Sequence, residues 1–261
     1  MANSLYAAPR FVDDASDCYF YHTMEIPGYG LVRGEWDLRE GVREYLGGVD
    51  FKRKRVLELG TASGFLCFHM EKEGAEVIAY DLSEDQSWDV VPFARGDTSK
   101  TIADRKEHIR KLNNGFWFTH RKCNSKAKVV YGNVYSIPQE IGPVDIAVLG
   151  SILLHVRDPF LALQNALRLT RETVIVTDVM PRLYPFQRLI RPLMGLNMSF
   201  VPRYATQHPW DSWWRLSPEL ITEFMGVLGF ETVEVKFHRQ QYEASPHMRP
   251  KLFTIIGHRT L

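Results

Sequence analysis

Arg55-Val56-Leu57-Glu58-Leu59-Gly60-Thr61-Ala62-Ser63-Gly64-Phe65-Leu66 is the stretch on which the fold turns. An apolar, β-favouring run from Val56 to Leu59 stops at one glycine, and a second glycine, Gly64, opens a helical pattern. The spacing predicts strand, tight turn and helix. In an open α/β sheet such a turn lies at the carboxyl edge of a strand, where glycine lets the backbone close on a ligand and the next helix offers free N–H groups. A nucleotide-like cofactor suits that place. A dinucleotide fingerprint requires G-x-G-x-x-G, and Ala62 and Phe65 stand where its later glycines belong. NAD is therefore weakly supported.

With 261 residues the chain is long enough to bury one α/β core with insertions. The formal net charge of +1 makes any basic binding face local. Three cysteines, Cys18, Cys67 and Cys123, lie far apart without C-x-x-C spacing, which indicates neither a disulfide framework nor a zinc site. Met1 to Asp17 holds acids and no apolar run of signal-peptide length, and no later run is long enough to span a membrane. The expectation is a soluble cytoplasmic protein.

Outward from the turn, residues 1 to 17 read as a frayed polar leader, and Cys18 to Gly30 as an aromatic, then glycine-rich arm or lid. Asp37 is positioned to N-cap a short helix through Tyr45. Residues 1–50 thus form an N-terminal arm ahead of a main domain at 51–261. Downstream, Val77 to Asp81, Val129 to Tyr135, Val144 to Ser151 and Thr173 to Asp178 read as further strands, with Phe230 to Phe237 and Leu252 to Gly257 as a closing hairpin. Two insertions interrupt the alternation, 83–128 and 180–216. The first carries Trp88, Phe93, a helix from Ile102 to Thr119, and nine cations between Lys100 and Lys128 against Asp104 and Glu107, an excess that favours an anionic partner. The second mixes Tyr184, Phe186, Phe200, Tyr204, Trp210, Trp213 and Trp214 with arginines, which suits a substrate cover or a homo-oligomer surface.

Glu58-Leu59-Gly60-Thr61-Ala62-Ser63-Gly64 resembles the E/D-x-G-x-x-x-G motif of class I S-adenosylmethionine-dependent methyltransferases. Tyr21-His22-Thr23, Gly34-Glu35-Trp36-Asp37-Leu38-Arg39 and Leu153-Leu154-His155-Val156-Arg157-Asp158-Pro159 are similar to stretches of the group that includes tRNA wobble 5-hydroxyuridine methyltransferases. The resemblance implies a Rossmann-like, seven-stranded, mostly parallel α/β sheet with an antiparallel C-terminal hairpin strand, and S-adenosylmethionine as cofactor. It assigns Glu58, Gly60, Ala62 and Gly64 to the methionine end with Gly150 opposite, Asp81 to the ribose, and Asn133 and Val134 to the adenine.

A hydroxyl acceptor needs a general base, for which histidine is suited. His155 is the first candidate because it follows the fourth strand, and His22 the second because the arm could fold over the site. The expected activity is methyl transfer to a small organic acceptor at oxygen, with an anionic group on that acceptor among the options. tRNA wobble uridine, or a non-catalytic nucleotide or RNA-binding role, are the alternatives. A hydrolase is unsupported, since G-x-S-x-G is absent around Ser63.

Overall fold

A computed structural model describes residues 4–94, 97–181, 198–206, 211–243 and 249–261. In chain order the elements are β1 Met24–Ile26, β2 Gly30–Val32, β3 Trp36–Asp37, α1 Val42–Tyr45, β4 Arg55–Leu59, α2 Phe65–Lys72, β5 Glu76–Asp81, α3 Ser99–Lys122, β6 Lys128–Tyr131, β7 Val144–Gly150, α4 Pro159–Leu167, β8 Thr170–Val179, β9 Met198–Phe200, β10 Trp214–Leu216, α5 Pro218–Val227, β11 Thr232–Arg239, β12 Gln241–Tyr242 and β13 Lys251–His258.

Seven strands form one sheet in the order β11-β13-β8-β7-β4-β5-β6. β4 to β8 are parallel, and β13 runs antiparallel to both β8 and β11. The central strands read as nearly continuous apolar runs because both faces are covered. Val56, Val77, Val129, Val148 and Ile175 pack toward the arm, α2 and α3, while Leu57, Ile78, Val130, Leu149 and Val176 pack toward the other side with Leu163 of α4 and Met225 of α5. Burial of Phe116 and Phe118 on α3 contributes roughly 1.5–3 kcal/mol each. The expected strands and closing hairpin form, with bounds shifted by a few residues.

Local signals set several ends. Asp158 Oδ1 accepts from Leu161 N at 2.9 Å with Pro159 at the first position of α4, and Ser217 Oγ caps α5 through Leu220 N. Gly74, at φ +100°, ends α2 in the left-handed conformation.

Three expectations are corrected. Asp37 is not a helix cap: Trp36–Asp37 pairs with Gln241–Tyr242, and the Asp37 carboxylate accepts from Arg39 N and the Arg39 guanidinium, a local turn that outcompetes a helical start. The described part of the leader is docked, with Ala7 N donating to Val129 O, Val12 buried and Arg10 paired to Glu84. The insertion helix is longer than its apolar spacing suggested, because the polar turns at its ends still bond helically; it runs through Lys122. Tyr184, Phe186, Trp210, Arg182, Arg188 and Arg191 lie outside the described residues, so the oligomer surface assigned to 180–216 is only partly covered. No helix among the described residues is long and apolar enough to cross a membrane.

Candidate active site

The β4–α2 turn is built from left-handed backbone at three places: Gly60 at φ +74°, Ala62 at +50° and Gly64 at +90°. A Cβ on Gly60 would lie 2.0 Å from Ile152 Cδ1, and one on Gly64 2.3 Å from Phe68, so together with their positive φ the turn favours glycine at both places. Gly60 N donates to Tyr80 O at 2.8 Å and Ala62 N to Asp81 Oδ2 at 2.7 Å. Asp81 Oδ1 accepts from Leu82 N at 2.7 Å. The acid that ends β5 thus braces the glycine turn at β4. Burial raises its carboxyl above the usual range, and the two N–H bonds oppose that.

Glu58 faces the other way, into the interior, where Thr61 Oγ1 donates to its Oε2 at 2.7 Å. Burial pushes its carboxyl up to about 8. A neutral Glu58 can donate as well as accept behind the turn.

A cleft opens along the carboxyl ends of β4, β5 and β6. It is lined by Gly60, Tyr80, Asp81, Leu82, Asn133, Val134, Tyr135, Ile152 and His155, with Ser87, Trp88 and Asp89 from the first insertion. The Tyr80 hydroxyl donates to Asn133 O at 2.9 Å, and a Cβ on Gly132 would meet that hydroxyl at 2.2 Å. Asn133 Oδ1 already accepts from Tyr135 N at 2.9 Å, so one lone pair is used locally. The Tyr135 hydroxyl donates to Asp89 Oδ2, which also takes Arg157 N. Trp213 Nε1 donates to Asp89 O, tying the residues before β10 to this wall.

His155 ends a short 3₁₀ turn, Leu153–His155, after β7. Its Nδ1 lies 2.6 Å from Asp211 O, and a carbonyl only accepts, so Nδ1 carries the proton and Nε2 keeps a lone pair. Desolvation lowers its proton affinity, which keeps the ring neutral near pH 7. His22 is placed differently. It is 7 % exposed, packs against Tyr21 and Phe65, and lies outside the cleft lining. Burial drives its pKa down to about 3, and its Nδ1 has no partner.

The structure therefore brings Gly60, Asp81, Asn133, Val134 and His155 into one cleft, with Glu58, Ala62 and Gly64 immediately behind the turn. Gly150 lies under the Tyr45 hydroxyl, which a Cβ would meet at 2.9 Å, and Phe93 is not among the lining residues. Tyr80, Tyr135, Asp89 and Ile152 were missed by sequence reasoning. Ile152 had a signal, since it follows a strand end beside the glycine turn; Asp89 had none, since it stands in an irregular loop.

The basic stretch is largely matched from within. Arg110 pairs with Asp17 and Glu107, Lys111 with Glu107, Arg121 with Asp13, Lys128 with Glu76, and Arg105 with Asp211. Five of the nine cations between Lys100 and Lys128 thus face acids of this chain, two of which belong to the leader.

A family model described as a methyltransferase domain matches residues 35–235. Magnesium protoporphyrin IX methyltransferase from Synechocystis with SAH bound aligns over 84% of this chain and 80% of its own, at 12% identity and TM-score 0.51. The N-terminal domain of EvdMO1, crystallised in the presence of SAH and D-fucose, aligns over 91% and 90%, at 15% identity and TM-score 0.53. A candidate RNA methyltransferase from Pyrococcus horikoshii aligns over 84% of each chain, at 15% identity and TM-score 0.51. At these identities the likeness is one of fold. No curated protein sequence matches the chain.

Proposed function

The chain belongs to the methyltransferase domain family, and on that premise we propose that it transfers a methyl group from S-adenosylmethionine to a small organic acceptor, at oxygen. The observation that carries this reading is the cleft at the carboxyl edge of β4, β5 and β6, where a left-handed glycine turn meets an acid-terminated strand. The residues fit the cofactor. Asp81 retains lone pairs beyond those used by Ala62 N and Leu82 N, enough for two ribose hydroxyls. The reading assigns Asn133 and Val134, both in the cleft, to the adenine, and Glu58, Gly60, Ala62 and Gly64 to the methionine end with Gly150, which lies outside the cleft lining, opposite.

When bound, S-adenosylmethionine supplies a methyl carbon already activated by a sulfonium. The protein's part is to orient the acceptor, exclude water and handle a proton. His155 is the base proposed for a hydroxyl acceptor, since its neutral ring presents Nε2 while Asp211 O holds Nδ1–H. His22, buried outside the cleft lining, is the less favoured of the two.

Internal pairing of cations on α3 and at Lys128 leaves less free positive charge for a polyanion, which favours a small acceptor over tRNA wobble uridine. The test is methyl transfer from labelled S-adenosylmethionine to small hydroxylated and amine acceptors and, in parallel, to bulk tRNA. Incorporation into small acceptors, insensitive to salt, is expected. Incorporation into tRNA alone, falling steeply between about 50 and 200 mM salt, would replace this reading with the tRNA one.

A further inference from the structure

The carboxyl edge holds another buried acid that the cofactor does not require. Asp178 stands near the end of β8, is 3 % exposed, and uses only one oxygen: Oδ1 accepts from Val179 N at 2.6 Å, while Oδ2 has no partner. An orphaned buried polar atom costs the fold stability, so a retained one calls for a use.

The register places it. Leu59 pairs with Leu149 and Gly150 with Thr177, so Asp178 lies two strands from Gly60, roughly 10 Å away at the usual strand spacing. It is on the side of β4 opposite Asp81 and Asn133, away from the adenosine end. Thr177 Oγ1 turns toward Tyr45 O, and Val176 packs on the face shared with Tyr80, Val156 and Leu216. By alternation Asp178 points to that same face, which also carries the cleft residues Tyr80 and Val156, while Asp178 itself stands outside the cleft lining. The neighbours along the edge are polar and partly exposed: Ser151, at φ +54°, donates its N–H to Thr177 O and its hydroxyl lies 3.3 Å from that of Tyr45.

We propose that Asp178 anchors the methyl acceptor, its Oδ2 taking an O–H or N–H of a small molecule held over the carboxyl ends of β7 and β8. The assignment rests on the methyl-transfer reading and narrows it, since it favours an acceptor that presents a hydrogen-bond donor over one that presents an anion. Burial supports the choice by holding the carboxyl up at about 7, opposed by Val179 N–H and by Arg215. Among the described residues, Arg215 and the Tyr45 hydroxyl are the titratable groups in electrostatic reach of it, from β10 and α1. Near neutrality the acid is a strong acceptor that can still shed its charge when no donor is present. By contrast, Asp81 already has both oxygens bonded and Glu58 is met by Thr61.

Asp178→Asn keeps the shape and removes the charge. Three readouts are taken on the full chain: S-adenosylhomocysteine affinity by calorimetry, melting temperature at pH 8, and methyl transfer to a panel of phenols, catechols and amines beside their carboxylated analogues. The expected result is unchanged S-adenosylhomocysteine affinity, a melting temperature higher by several degrees, and an acceptor KM raised at least about tenfold on donor-bearing panel members, with partial recovery in Asp178→Glu. A lower melting temperature, weaker S-adenosylhomocysteine binding, unchanged acceptor kinetics, or a wild type that binds S-adenosylhomocysteine yet methylates no panel member overturns the assignment. A wild type that binds no S-adenosylhomocysteine overturns the proposed function instead.

Discussion

At one end of the sheet's carboxyl edge Asp81 has both oxygens engaged by backbone N–H groups; at the other, Asp178 has one oxygen engaged and one without a partner. Both are acids at the carboxyl ends of parallel strands, Asp178 buried and Asp81 partly so, and desolvation raises both. The bonded acid is part of the scaffold, because its contact with Ala62 N sets the shape of the glycine turn. The half-bonded acid is held by no such duty. The difference separates an acid that braces the turn and has only its remaining lone pairs for a ligand from one with a whole oxygen left without a partner.

The largest expected effect lies at the half-bonded acid. An acid whose folded pKa is raised makes the protein lose stability as pH rises from the unfolded value to the folded one. For Asp178 that window runs from about 4 to about 7, and the full cost, at most about 4 kcal/mol, stands above it. Chemical denaturation of wild type and Asp178→Asn at pH 5 and pH 8 should show a gap that opens at the higher pH. Glu58 adds a loss of the same sign with its carboxyl at about 8, and His22 acts oppositely below pH 6.5, but both are shared by the two proteins and cancel in the difference. Equal gaps at both pH values would remove the contrast.

Turnover probes the ground between the two acids, where His155 lies. His155→Ala should lower kcat by about a hundredfold on a hydroxyl acceptor if Nε2 removes the proton, with S-adenosylhomocysteine affinity nearly intact. An unchanged kcat would leave His155 as a tie to Asp211 alone. A smaller effect is expected at the bonded acid: Asp81→Asn removes charge-assisted hydrogen bonds worth roughly 1.5–3 kcal/mol, so cofactor affinity should fall about tenfold or more in a titration while acceptor KM stays level.

The contrast between the two acids also marks what the sequence could convey. The place of Asp81 at a strand end beside the glycine turn was legible because it closes an apolar run shortly after that turn. The sheet was legible for the same reason: runs such as Val144 to Leu149 have few other ways to be buried. Asp178 also ends a strand, yet nothing local says that its second oxygen lacks a partner, because that depends on which groups of β7, β10 and β13 fail to reach it. Asp37 misled for a related reason. A cap and an Asx turn use the same side chain, and only pairing of Trp36 with Tyr242 decided between them. Charge counting saw an excess of cations between Lys100 and Lys128 but not Asp13 and Asp17 of the leader, which fold against Arg121 and Arg110.

Titration of the wild-type protein with S-adenosylhomocysteine in a calorimeter tests the central claim most directly. The account predicts one site per chain, weakened about tenfold or more by Asp81→Asn and unaffected by Asp178→Asn. No heat at millimolar S-adenosylhomocysteine, or binding of NAD in its place, would contradict it.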